Sequence, residues 1–157
     1  MDPENAHPDD GGDQPAGAAL RHALRQLETA QRHLRSAVAL DVGIGISELS
    51  ALEALAEEPG LTPKWLGLEL GLTTGAVTAL LDRLAKAGHL DRLANPQDRR
   101  SVLLRLTDSG TALLAAVDER YGAVSAEVLR ASPRLAEAEV VEDLARAAAV
   151  ITAQTIG

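Results

Sequence analysis

The 157-residue chain contains no cysteine and no phenylalanine, and Trp65 and Tyr121 are its only aromatic side chains. The missing thiols exclude disulfides, thiolate metal sites and a thiol redox switch. The missing aromatics leave Leu, Val, Ile and Ala to build the core, a palette suited to helix packing, and the 46% apolar content is ample for one. Long hydrophobic runs are also lacking. The opening residues "MDPENAHPDDGGDQPAG" hold no apolar stretch of the signal-peptide kind, and "ARAAAVITA" is too short to span a bilayer. A soluble, cytoplasmic protein without a membrane segment is the expectation.

Catalytic signatures are absent too: there is no phosphate loop, no HExxH and no paired acid beside a nucleophile. "GIGIS" at Gly43 to Ser47 is an isolated glycine-rich pentad that reads as a connection. The four histidines, His7, His22, His33 and His89, lack close metal spacing; His22 and His33 could share a helix face as solvated surface. The chain is therefore expected to be neither an enzyme nor a holder of a metal or cofactor.

What is present is an uneven charge. The chain sums to −8, yet from Thr62 to Thr107 seven basic residues (Lys64, Arg83, Lys86, Arg92, Arg99, Arg100, Arg105) face four acidic ones (Glu69, Asp82, Asp91, Asp98), a surplus of +3 that leaves −11 elsewhere. A basic middle between acidic ends suits a chain of which only the middle meets a polyanion.

Along the chain, residues 1–16 are acidic, Pro- and Gly-containing and without periodicity, so a disordered tail is predicted ahead of a single domain over 17–157. Leu20, Leu24, Leu27, Leu34 and Val38 mark a first helix over 17–40, and "DVGIGIS" breaks it. Ser47 can cap a second helix carrying Leu49, Leu52, Leu55 and Ala56. Thr62 with Pro63, a stop at Gly71, a second cap at Thr73 and a closing Gly88 then outline two short helices joined by about three residues, the helix-turn-helix pattern. "HLDRL" and "SVLLRL" alternate on either side of the turn "ANPQD", as a β-hairpin does. One helix from about Asp108 and another after Pro133 close the chain. The predicted fold is mainly α with a small β-hairpin wing: a winged helix-turn-helix over 61–107, with 17–40 and 108–157 as a helical dimerisation layer.

At about 100° per residue from Thr74, Ala76, Val77, Leu80, Leu81, Leu84 and Ala87 fall in an arc of roughly 200° to 340°, the predicted core face. Thr74, Gly75, Thr78, Ala79, Asp82, Arg83 and Lys86 fill the other half. A helix entering a major groove by its N-terminus needs short side chains there, with hydroxyls for phosphates or base edges and methyls for thymine. Thr73, Thr74, Gly75 and Thr78 meet that need, Thr73 doubling as the cap. Arg83 and Lys86 suit either phosphate or the helix dipole. Asp82 is unfavourable near phosphate unless a base offsets it. The hairpin would carry Arg99 and Arg100 at its tip, where a guanidinium can enter the minor groove, with Asp98 accepting from the turn backbone or from an arginine.

Taken together, "LTPKWLGLELGLTTGAVTALLDRLAKAGHLDRLANPQDRRSVLLRLTDSGTALL", Leu61 to Leu114, resembles the multiple antibiotic resistance regulator (MarR) family of bacterial winged-helix repressors. The "DRR" turn with "LT..G" at the right distance carries most of the specificity. The resemblance implies a homodimer held by its terminal helices, two winged heads on adjacent major grooves of a pseudo-palindromic double-stranded DNA operator, and a small-molecule effector bound between dimer layer and heads. By the same resemblance Leu24, Leu52, Trp65, Val117 and Tyr121 would line or adjoin the effector pocket. The chain departs from the family pattern at His89, where an apolar strand residue is common, at Leu93, where a base is common, and at Trp65, where a polar residue is usual. His89 is expected to pack, and Trp65 either to pack on the hairpin, the preferred alternative, or to line a pocket. The expected function is a homodimeric, sequence-specific DNA-binding regulator, a repressor released by a small molecule. The alternative is a winged-helix protein-interaction module that does not bind DNA, and salt dependence of duplex affinity separates the two.

Overall fold

The computed structural model describes residues 13–98 and 100–155, and the chain divides into two compact units between Leu49 and Ser50. The sequence expectation of one domain over 17–157 did not include that division.

The first unit holds helix α1, Asp13–Asp41, and the start of α2, Ile46–Glu57. α1 begins four residues inside the segment assigned to the acidic tail, and residues 1–12 of that tail lie outside the described residues. Pro15 is no obstacle to the early start, because the first turn of a helix has no internal acceptor for its N–H groups. The helix ends on Gly43 at φ +79°, with Gly43 N–H donating to the Leu40 carbonyl and Ile44 N–H to that of Ala39, the paired bonds of a Schellman motif. Ser47 is not the cap of α2. The Gly45 carbonyl accepts from Leu49 N–H at 2.9 Å, and the Glu48 carboxylate accepts from Gly45 N–H at 2.8 Å, so Gly45 takes the capping position and Ser47 lies in the first turn.

In the second unit, α3 (Pro63–Glu69) and α4 (Thr74–Lys86) follow α2, each capped by the threonine before it: Thr62 Oγ1 accepts from Trp65 N–H and Thr73 Oγ1 from Ala76 N–H. Gly71, at φ +62°, turns the chain between them. Gly67 lets the helices cross closely, since a Cβ there would sit 3.0 Å from Val77 Cγ2 and 3.4 Å from the Leu72 carbonyl oxygen. Val77, Leu80, Leu81 and Leu84 are buried, whereas Ala76 and Ala87 are exposed. The buried face is thus narrower than expected, roughly 240° to 340°, because both alanines lie at its edge and at the helix ends.

Strands β1 (Leu90–Ala94) and β2 (Val102–Leu106) pair antiparallel from Leu90↔Leu106 to Ala94↔Val102, forming the wing. Leu90 and Leu104 pin it to the core, and Leu104 N–H also donates to the Leu61 carbonyl at 2.9 Å, fixing β2 beside the start of α3.

The "LT..G" motif has a physical explanation at the junction with α5, Asp108–Ala131. The Thr107 hydroxyl donates to the Gly88 carbonyl at 2.6 Å and accepts from Gly110 N–H at 3.1 Å, so one side chain closes α4 and opens α5. A Cβ at Gly110 would lie 2.3 Å from the His89 carbonyl oxygen, so this crossing tolerates only glycine. His89 is half-buried, its Nδ1 3.0 Å from Ser109 Oγ.

The last helix, expected after Pro133 with Leu135 as its first apolar residue, starts beyond Leu135. Pro133–Ala136, including Leu135, form a 3-10 turn; Glu137 then takes extended backbone, and its carbonyl accepts from Val140 and Val141 N–H as α6, Ala138–Thr155, begins. Among the described residues no helix is long and apolar enough to cross a membrane.

Candidate nucleic-acid interface

The exposed side of α4 starts small because its residues are: Thr73, Thr74, Gly75 and Thr78 are all exposed, as are Arg83 and Lys86 toward its end. The Thr78 hydroxyl donates to the Thr74 carbonyl at 2.9 Å. Its proton is thereby occupied, while its lone pairs and methyl still face outward.

The wing turn is built by short polar side chains acting on their own backbone. Asn95 Oδ1 accepts from Gln97 N–H at 3.0 Å, Asn95 Nδ2 donates to Ser101 Oγ at 2.8 Å, and Asp98 Oδ1 accepts from Arg100 N–H at 2.9 Å. Asp98 thus holds the turn backbone, one of the two roles open to it from sequence. Arg100 is exposed at the turn, and Arg99 lies outside the described residues.

Two ion pairs lock the wing in place, and neither was legible from spacing. Arg92 of β1 donates to Asp82 of α4 at 2.6 Å, tying the wing to the helix, and Arg105 donates to its cross-strand partner Asp91 at 2.8 Å. The base that offsets Asp82 is therefore Arg92, in neither the helix nor the tip. With Asp82 and Asp91 paired and Asp98 committed to the turn, these acids near the wing are neutralised or spent on local structure.

A cleft of about 660 Å³ runs between α3, α4 and the wing. Of the predicted residues it gathers Thr74, Thr78 and Arg100 along its walls, with Lys64 and the 64% exposed Leu68 of α3 and Asn95 of the wing. Thr73, Gly75, Arg83 and Lys86 do not line it, although they share the exposed face of α4. Lys64 and Leu68 were missed as site residues; their i, i+4 spacing on α3, beside the conformationally permissive Gly67, is the signal that could have found them.

The five residues expected to line or adjoin an effector pocket divide between the two units, Leu24 in the first and Leu52, Trp65, Val117 and Tyr121 in the second. Leu52 and Val117 are fully buried, Leu24 and Tyr121 are half-buried on α1 and α5, and Trp65, expected by preference to pack on the hairpin, is 63% exposed. A separate cleft of about 650 Å³, floored by Leu55, Ala56, Leu106, Leu114 and Ala115 and edged by Asp118, includes none of the five. Leu93 is exposed on the wing, so the base usual in the family is replaced there by an apolar side chain at the surface.

Comparison with known proteins agrees with this architecture. Residues 42–101 match the model of the MarR family. The uncharacterised HTH-type transcriptional regulator YcgE of Bacillus subtilis is 40% identical over 81 residues, 52% of this chain and 53% of that protein. The chain spans about half the length, or less, of the curated relatives it matches. Among solved structures, the transcriptional regulator Tm0710 of Thermotoga maritima superposes with a TM-score of 0.70 at 23% identity, covering 89% of this chain and 99% of that one. An S. aureus MepR mutant bound to an oligodeoxyribonucleotide superposes with a TM-score of 0.63 at 18% identity, covering 88% and 98%. The mainly helical fold with a two-stranded wing is that of MarR winged-helix regulators, and the matched segment takes in the "DRR" turn and ends before "LT..G".

Proposed function

We propose that this MarR-type chain is a homodimeric, sequence-specific DNA-binding transcriptional regulator, a repressor released by a small molecule. One observation carries the DNA reading: the threonine-edged start of α4 and the arginine of the wing turn border a single cleft, with the neighbouring acids Asp82 and Asp91 held in ion pairs. A helix with that edge seats in a major groove while the wing reaches the adjoining minor groove. Thr73, Thr74, Gly75 and Thr78 approach base edges and phosphate, Arg83 and Lys86 contact phosphate, and Arg99 and Arg100 anchor the wing. Dimerisation is supported by helices that leave their apolar rows uncovered, Leu20 and Leu27 on α1 and Val141, Leu144, Val150 and Ile151 on α6. For the effector, the cleft floored by Leu55, Leu106 and Leu114 has the size and apolar lining of a small-molecule site.

The decisive test is selection of bound duplexes from random DNA, followed by affinity measurement on the selected site across a salt series. A pseudo-palindromic site whose affinity falls steeply with salt is expected, and Arg100→Ala should lower the salt slope by about 1 with folding intact. Flat salt dependence and no preference between selected and random duplex would overturn the reading in favour of a protein-interaction module.

A further inference from the structure

The helix that lends Lys64 and Leu68 to the duplex cleft has a second exposed face. Trp65, the only tryptophan of the chain, borders a concavity of about 570 Å³ together with Ala54, Glu57, Glu58, Leu61 and Glu69. Helical spacing places Trp65 and Glu69, four residues apart on α3, on one side, while Ala54 and Glu57 come from α2 and Glu58 directly follows it. None of the three carboxylates pairs with a basic side chain among the described residues. None of the six residues lines the cleft between α4 and the wing.

An indole left 63% exposed forfeits most of the burial by which tryptophan normally stabilises a fold. Three uncompensated carboxylates around it repel anions and nucleic acid and attract positive charge. Ala54 and Leu61 add apolar surface. An aromatic face, surrounding negative charge and an apolar floor together select a cation that carries hydrocarbon, since a tryptophan ring is the strongest of the side-chain π partners for an ammonium group. The volume lies within the range of small-molecule sites.

We propose that this concavity binds a hydrophobic organic cation of the quaternary or arylalkyl ammonium class, with Trp65 supplying the aromatic face and Glu57, Glu58 and Glu69 the charge. The site shares no residue with the proposed duplex interface, so either reading can fail while the other stands.

Because Trp65 is the sole tryptophan, its emission reports the site directly. Benzyltrimethylammonium chloride titrated into the full chain at constant ionic strength should change that emission saturably, while neutral benzyl alcohol over the same range should not. Glu57→Gln combined with Glu69→Gln, both surface positions, should weaken the Kd about five- to tenfold with an unchanged circular dichroism spectrum, and Trp65→Leu, followed by calorimetry, should weaken it at least about fivefold. No saturable change, equal response to benzyl alcohol, or a Kd unmoved in both variants would overturn the proposal.

Discussion

The α4–wing region and the α6 helix belong to the same compact unit, yet they are built on opposite terms. In the first, every large apolar residue of α4 is buried, the wing is clamped by Leu90, Leu104 and two ion pairs, and the exposed face is small or polar apart from Leu93 on the wing. In the second, an 18-residue helix has Val141, Leu144, Val150 and Ile151 all at the surface. The first satisfies its hydrophobic demand within the chain; the second does not. A segment that closes its own core can present a rigid polar surface to a ligand, whereas one that leaves a row of large apolar side chains in water is shaped for a contact beyond the single chain.

Breaking the self-sufficient side should cost the most. Leu84 is 1% exposed in the last turn of α4, so Leu84→Ala is expected to lose about 3 kcal/mol of unfolding free energy in chemical denaturation, independent of protein concentration. A loss below about 1 kcal/mol would mean that the α4 core is less closely packed than its burial indicates. Gly67→Ala comes next: its new methyl would press on Val77 Cγ2, a side chain that can yield slightly, so a loss of about 1 to 2 kcal/mol is expected in the same measurement. Thr73→Ala, which removes a cap whose hydrogen bond is long at 3.4 Å, should cost about 0.5 to 1 kcal/mol.

The ion pair between wing and helix sharpens the comparison from another direction. Both partners of Arg92–Asp82 are well exposed, with side chains 36% and 61% accessible, so Asp82→Asn should change stability by less than about 1 kcal/mol. Its larger effect should fall on duplex affinity, because an unclamped wing no longer presents Arg100 at a fixed distance from Thr74 and Thr78. Equal duplex affinity in Asp82→Asn and the parent would show that the pair does not position the wing.

The same contrast explains what could be read in advance. Elements whose limits are set by local backbone chemistry were legible: Thr62 and Thr73 as caps, Gly71 and Gly88 as stops, Asp108 as the start of α5. Of the wing site, Thr74 and Thr78 could be placed by helical angle and Arg100 by its turn. Arg92–Asp82 could not, because ten residues and a change from helix to strand separate the partners, and only the tertiary crossing joins them. The exposure of Trp65 was legible in part: it stands where the family usually carries a polar residue, but packing on the hairpin was the preferred expectation, and the ring is 63% exposed. The start of α2 was misplaced because Gly45, which has no side chain to announce it, holds the capping position: its carbonyl accepts from Leu49 N–H and its N–H donates to the Glu48 carboxylate.

The smallest effect on the single chain is the most telling for the comparison. Leu144 is 50% exposed, so Leu144→Ser removes little that the chain itself buries, and in dilute protein its unfolding free energy should shift by less than about 0.5 kcal/mol. If α6 is completed by a second copy, the cost appears elsewhere: the parent's thermal midpoint should rise with protein concentration, as that of an associating protein must, and the variant's should rise less. Sedimentation across the same concentrations should show the variant dissociating at higher concentration than the parent. A parent whose midpoint ignores concentration would place α6 with the self-sufficient part of the molecule, and its exposed valines and leucine would then need an occupant other than a second copy of the chain.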